Sequence, residues 1–175
     1  MTSFSAPLQR SAILIFGLLS LILGGCASTN NPRDPIEPLN RVVYSFNDGL
    51  DRVVMKPVST VYSTVLPQFV RTGVTNFFNN LSDIITALNS LLQGKFVDAT
   101  SDVGRIAVNS TVGLLGLVDV GSELGLEKHR EDFGQTLGRW GLGSGPYLQV
   151  PFFGPTTVRD FFGDWVDFQV GPVRL

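Results

Sequence analysis

Apolar positions recur along this chain at helical spacing. From Ile36 they fall at Leu39, Val43, Phe46, Leu50 and Val53, steps of three and four that lay one apolar stripe along a helix. Asn40, Arg41, Asn47, Asp48, Asp51 and Arg52 take the other faces. Asp34, Pro35 and Glu37 supply start signals: a capping carboxylate, a proline suited to the first turn, and capping-box spacing. Pro57 ends or kinks this helix, and a short one over 58–66 stops at Pro67. Phe69, Val70, Gly73, Val74 and Phe77 predict a helix to about Asn80. Ser82 stands where it can cap a separate helix over 83–93, with Ile84, Ala87, Leu88, Leu91 and Leu92 on one side and Gly94 as its stop. Phe96, Ala99, Val103 and Ile106 carry a further helix to Thr111, and 119–126 reads as a short one. The connections are short, so the helices pack as antiparallel or crossing neighbours. No period-two alternation lasts long enough for a barrel, and no internal repeat is found; the fold class is all-α.

Beyond the polar run 127–132 the character changes. Nineteen residues between Arg139 and Arg159 carry no charge, the length of a membrane span, but their four Gly and three Pro forbid a continuous helix. Either this segment lines a cavity at membrane depth, or it is a loop with one short strand over 147–153 packed on the helices. Thr156 or Thr157 can cap a last helix, with Phe161, Phe162, Trp165 and Phe168 on about half its surface and Arg159, Asp160, Asp164 and Asp167 on the remainder. That distribution fits an interfacial helix, and a buried core helix reads the same way.

Two different objects share the 175 residues. Residues 1–25 hold one basic residue, Arg10, ahead of the charge-free run 11–23, the pattern of a secretory signal. Thirteen residues rise about 20 Å as a helix, short of a hydrocarbon core of about 30 Å. The run ends Leu23-Gly24-Gly25-Cys26, which resembles the lipobox of bacterial lipoproteins. That resemblance implies cleavage before Cys26 and lipidation of Cys26 as the new N-terminus; two or more acyl chains make a firm anchor. Ala27, where an Asp would retain such a lipoprotein at the inner membrane, implies export to the outer membrane. Residues 26–33 are then a tether, and 34–175 the helical domain. From Cys26 onward 27 of 150 residues are charged, about 18% against a typical ~25%. Scarcity of charge fits a body that water covers only in part.

Composition also narrows the chemistry. One Cys excludes an intrachain disulfide, and one His with one Cys cannot assemble a typical zinc site. With 13 Lys+Arg against 15 Asp+Glu and no basic run, nucleic acid is not an expected partner. Gly141, Gly143 and Gly145 have the spacing of a phosphate loop, yet Pro146 and an extended segment follow where a helix N-terminus is required. His129 lies among charges as a solvated His would. The pairs Glu131/Asp132 and Asp160/Asp164/Asp167 lack a neighbouring nucleophile, and no G-x-S-x-G elbow occurs. Neither catalysis nor a cofactor is expected.

Several separated motifs together resemble the VacJ/MlaA lipoproteins. They are Asp34-Pro35-Ile36-Glu37-Pro38-Leu39-Asn40-Arg41 with Tyr44-Ser45-Phe46-Asn47, then Asn76-Phe77-Phe78-Asn79-Asn80-Leu81 and Asn89-Ser90-Leu91-Leu92-Gln93-Gly94-Lys95. Gly104-Arg105 leads on to Asn109-Ser110-Thr111-Val112-Gly113. Glu131-Asp132-Phe133-Gly134-Gln135-Thr136-Leu137-Gly138 continues through Gly145-Pro146-Tyr147, Pro151 and Gly154-Pro155 to Arg159-Asp160. The resemblance implies an all-helical ring in the inner leaflet of the outer membrane, with an amphipathic channel and a trimeric porin beside it. It implies removal of misplaced outer-leaflet phospholipid and its transfer to a soluble periplasmic carrier, with the neutral Gly/Pro segment as channel wall. A structural envelope lipoprotein that binds porins without moving lipid is the alternative. Asn40, Arg41, Asn47, Asn109, Arg139 and Asp160 are candidates for a polar lipid path, and Phe152, Phe153, Phe161, Phe162 and Trp165 for acyl-chain contacts. Members of the family continue past the Arg159-Asp160 motif into further helices, so a chain ending at Leu175 is expected to be a fragment or a C-terminally short form.

Overall fold

The computed structural model describes residues 34–172. Helix α1 (Glu37–Leu50) passes through a π-helical stretch, Asp51–Met55, into α2 (Lys56–Val65). The long α3 (Gln68–Leu92) and α4 (Phe96–Thr111) pack against each other as the central pair, with the short α5 (Val120–Glu123) beside α4. Then come α6 (Phe133–Arg139), an antiparallel hairpin of β1 (Tyr147–Val150) and β2 (Gly154–Thr157), and α7 (Val158–Val170), which packs on α6. The body is mainly helical rather than all-α. The strand expected over 147–153 stops at Val150, and its chain returns as β2, with Tyr147 opposite Thr157 and Val150 opposite Gly154.

Three boundaries differ from the sequence pattern for local reasons. Pro57 does not end the first helix. A proline lacks an N–H and its ring collides with the carbonyl four residues back; widening the preceding turn, so that Lys56 N–H donates to Asp51 O, lets the chain continue. Ser82 does not divide 68–92, because its hydroxyl donates back to Phe78 O at 3.0 Å and leaves the helix unbroken. Asp34 does not cap α1 through its side chain; its carboxylate accepts from Asn40 Nδ2 at 2.7 Å. The cap expected at Thr157 holds, and Asp119 likewise caps the short helix that follows it. Helix α6, which apolar periodicity does not reveal, is capped by Asp132 through Gln135 N–H.

The interior is polar. Among the described residues only two hydrophobic side chains are fully buried, Ala87 and Ala99, against twelve polar or charged ones. Asn80, Asp83, Thr86, Asn89 and Ser90 line the buried side of α3, with Gln93 just past its end, and Asp102, Arg105 and Asn109 that of α4. Arg105 is 1% exposed. Its guanidinium donates to both Asp119 oxygens at 2.9 and 3.0 Å, to Ser122 Oγ at 3.0 Å and to Leu126 O at 2.9 Å. Its Nε faces Asp83 Oδ2 at 3.5 Å, and Asp83 Oδ1 accepts from Lys128 at 2.8 Å. A second cluster joins α3, α6 and α7: Thr136 Oγ1 donates to Asn89 Oδ1, and Asn89 Nδ2 donates to Asp167 Oδ1. Most of these buried polar groups are paired, which is what makes them tolerable, while Asn80 Oδ1, Ser90 Oγ and Asp102 Oδ2 are left without a hydrogen-bond partner among the described residues.

Two crossings are close enough to demand glycine. A Cβ on Gly163 would collide with the Gly134 backbone, so α6 and α7 touch main chain to main chain. Gly116, at φ +93°, leaves no room for a Cβ beside Asn80. Replacement Gly163→Ala is expected to cost about 1–3 kcal/mol by overpacking this crossing. Gly143→Ala, which meets nothing, stays within about 0.5 kcal/mol. Chemical unfolding followed by circular dichroism in detergent micelles checks both.

Burial alone would raise the Asp119 carboxyl, but hydrogen bonds from Ser122, Asn109, Arg105 and the Ser122 N–H outweigh it and hold the group down from 3.8 to about 2. A depressed carboxyl stabilises the fold fully above its unfolded value, and that contribution fades as pH falls from about 3.8 toward 2. The wild-type protein should therefore lose stability more steeply than Asp119→Asn across this window, read as unfolding midpoints at stepped pH.

Candidate functional site

What a polar interior leaves for the exterior is apolar. Val53, Val58, Val61 and Val65 on α1–α2, Phe69 on α3, Phe96 and Val97 on α4 and most of α7's aromatics are exposed. Such continuous apolar cover is far beyond the scattered hydrophobics of a water-facing surface. No described helix is long and apolar enough to cross a membrane.

The turn after α4 has the same character. Residues 112–118 expose Val112, Leu114, Leu115, Leu117 and Val118, with Leu114 and Leu115 both in the left-handed region at φ 55° and 61°. Each costs about 1–2 kcal/mol for a non-glycine residue. The N–H groups of Val112, Gly113, Leu115, Gly116, Leu117 and Val118 are nonetheless all bonded within the turn and the end of α4. Leu117 O accepts from Asn76 Nδ2 at 3.2 Å. Irregular backbone so fully paired is what an apolar solvent requires.

Two concavities differ in kind. A polar cleft of about 590 Å³ lies between the start of α1 and β1, lined by Asp34, Glu37, Asn40, Arg41, Tyr44, Ser45 and Tyr147. An apolar groove of about 610 Å³ runs between the hairpin turn and α7, lined by Phe153, Phe161, Trp165 and Phe168, with Asp164 among them. Desolvation, with the like charges of Asp132, Asp167 and Asp160, raises the Asp164 carboxyl above the usual range. Asp167 is raised too, mainly by burial; its bonds from Phe133 N–H and Asn89 offset that only in part.

All five aromatic residues expected at an apolar surface are exposed, from Phe161 at 44% to Phe153 at 87%. Phe161, Trp165 and Phe153 share the apolar groove; Phe162 stacks on Trp165 at 6.1 Å, and Phe152 meets Phe46 edge-on at 5.4 Å.

The six polar candidates are not brought together, since no side-chain hydrogen bond joins any two of them. Asn40 and Arg41 share the polar cleft. Asn40 also clamps β1, donating to Tyr147 O and accepting from Gln149 N–H; Asn47, two turns later on the same face, does so for Val150 O and Phe152 N–H. Asn109 holds Asp119 and the Gly121 N–H. Asp160 sits at the start of α7 with Thr157 and Arg159, and Arg139 is exposed in the last turn of α6. Cys26 lies outside the described residues.

His129 is packed rather than solvated: its Nδ1 lies 3.1 Å from Asp102 and its Nε2 3.7 Å from Asp98. The polar interior around Asp83, Asp102, Arg105 and Thr136 was missed by apolar periodicity. The only sequence signal for it is the polar or small series Ala99, Asp102, Arg105 and Asn109, at the same helical spacing as an apolar stripe.

Polar inside and apolar outside, the helical body carries one polar and one apolar recess. The family model described as MlaA lipoprotein matches residues 32–175, and the chain belongs to that family. It is 36% identical over 166 residues to the intermembrane phospholipid transport system lipoprotein MlaA of Escherichia coli K12, covering 90% of this chain and 65% of that one. With the lipoprotein of the same description from Haemophilus influenzae it shares 31% identity, covering 91% and 68%. An uncharacterised Rickettsia typhi protein is 37% identical over 73% of this chain and 51% of its own. The chain thus spans between about half and two thirds of the length of these curated relatives. A solved structure described as "Structural basis for maintenance of bacterial outer membrane lipid asymmetry" superposes with a TM-score of 0.72 at 33% identity, covering 78% of this chain and 70% of that one.

Arg105→Ala would leave Asp83 and Asp119 without their shared cation, and a broken buried pair costs about 3–5 kcal/mol. Arg159→Ala, at a partly exposed pair, should cost about 1 kcal/mol or less. Thermal unfolding of the two variants side by side checks the ranking.

Proposed function

We propose that this chain is an outer-membrane lipoprotein component of intermembrane phospholipid transport. It takes mislocalised phospholipid from the outer leaflet through an amphipathic path and hands it to a soluble periplasmic carrier, without cofactor or catalysis. In this reading the protein is anchored through lipidated Cys26, sits as a ring in the inner leaflet with its apolar coat in the acyl chains, and has a trimeric porin as neighbour. The observation that carries it is the inversion of burial, charge inside and hydrocarbon outside, which costs stability in water and lowers free energy in a leaflet. The names of the relatives, phospholipid transport lipoproteins of two organisms, support the same role. Asn40 and Arg41 in the polar cleft are its best-placed headgroup contacts, and Phe153, Phe161 and Trp165 its acyl contacts.

Deleting the gene for this chain should raise outer-leaflet phospholipid, and unchanged surface lipid would favour a structural envelope role. The two tryptophans, Trp140 and Trp165, are both more than half exposed and report directly on the leaflet. In a Trp140→Phe variant, Trp165 emission should be quenched by lipids brominated on their acyl chains. Emission typical of water, unaffected by bromine, would remove the apolar groove from the lipid surface.

A further inference from the structure

Asp164 is the one carboxylate in a groove walled by Phe153, Phe161, Trp165 and Phe168 together with residues 154–156 of β2. The other acids near it are committed. Asp132 caps α6, Asp160 pairs with Arg159 at 2.7 Å and with the Thr157 hydroxyl, and Asp167 accepts from Asn89 and Phe133 N–H. Asp164 has no hydrogen bond and no cation paired with it among the described residues. Arg159, the basic residue nearest in sequence, is spent on Asp160 and Leu142 O. Asp164 is exposed on the groove wall, and the natural complement of an unpaired carboxylate there is an external cation. The walls narrow the kind: aromatic faces attract an ammonium as well as hydrocarbon, so a cation that also carries an acyl chain uses both the carboxylate and the walls.

We infer that this groove seats a phospholipid with an amine-bearing, zwitterionic headgroup, its ammonium on the Asp164 carboxylate and its acyl carbon against Phe153, Phe161, Trp165 and Phe168. The inference rests on the lipid-transport reading and adds headgroup discrimination to it. Anionic lipids such as phosphatidylglycerol meet the negative charge of Asp164 with nothing to offset it, and are disfavoured. Desolvation, and then the like charges of Asp132, Asp167 and Asp160, raise the Asp164 carboxyl. An ammonium in the groove would bring it back down.

The test uses the full-length lipoprotein in nanodiscs of equal phosphatidylethanolamine and phosphatidylglycerol. The lipid retained after transfer to detergent is quantified by mass spectrometry. Wild type should retain phosphatidylethanolamine over phosphatidylglycerol by about fivefold relative to the nanodisc, the scale of a partly solvated charge pair. Asp164→Asn should bring the ratio to near one and Asp164→Lys should invert it, while Glu123→Gln, a carboxylate away from the groove, leaves the wild-type ratio. Retention without headgroup preference, or a preference that Asp164→Asn leaves intact, overturns the headgroup assignment while the transport reading stands. If no phospholipid is retained by any variant, both readings fail together.

Discussion

One guanidinium group, that of Arg105, ties four parts of the chain together. It carries α4, meets Asp83 of α3, takes both oxygens of Asp119 ahead of α5, and closes on Leu126 O in the segment beyond it. Gly121 lies against its stem, where a Cβ would come within 3.1 Å of Cγ. A charge so deeply buried is stable only while every partner stays in place, so the arrangement of α3, α4 and α5 is specified by one residue's valences rather than by apolar packing. Lys128 on Asp83 and His129 on Asp102 then fasten the following segment to the same core.

The rest of the molecule follows from having spent its interior on polar pairs. Helices whose polar sides face each other must turn their apolar sides outward, and α3 and α4 do so along their length. The same constraint explains why irregular segments are so thoroughly bonded. The 112–118 turn closes most of its N–H groups on the end of α4 and on itself, and the hairpin edge is closed by the amides of Asn40 and Asn47. In water such groups could be left to solvent; against hydrocarbon they cannot.

At the α6–α7 end the polar network thins and the recesses open. Contact between Gly134 and Gly163 draws the two helices together and gathers Asp132, Asp160, Asp164 and Asp167 at their crossing. Three of these hold the fold, and the fourth faces an aromatic groove. A scaffold so made supplies wet and dry surfaces side by side.

The sequence by itself settled where most helices lie and which residues share a face. The stripe from Ile36 to Val53, the cap at Thr157 and the aromatic side of α7 all stand as their spacing indicates. It also carried the motifs of the family to which the chain belongs. It could not say which face points inward, because a stripe at helical period is equally well defined from either side: Ala99, Asp102, Arg105 and Asn109 repeat as regularly as the apolar residues opposite. A local signal misled where another side chain intervened, as at Asp34, whose carboxylate is taken by Asn40. The inversion of burial, the glycine crossing of α6 on α7 and the lone carboxylate in its groove are tertiary facts. Each depends on pairings between residues tens of positions apart, which no local periodicity encodes.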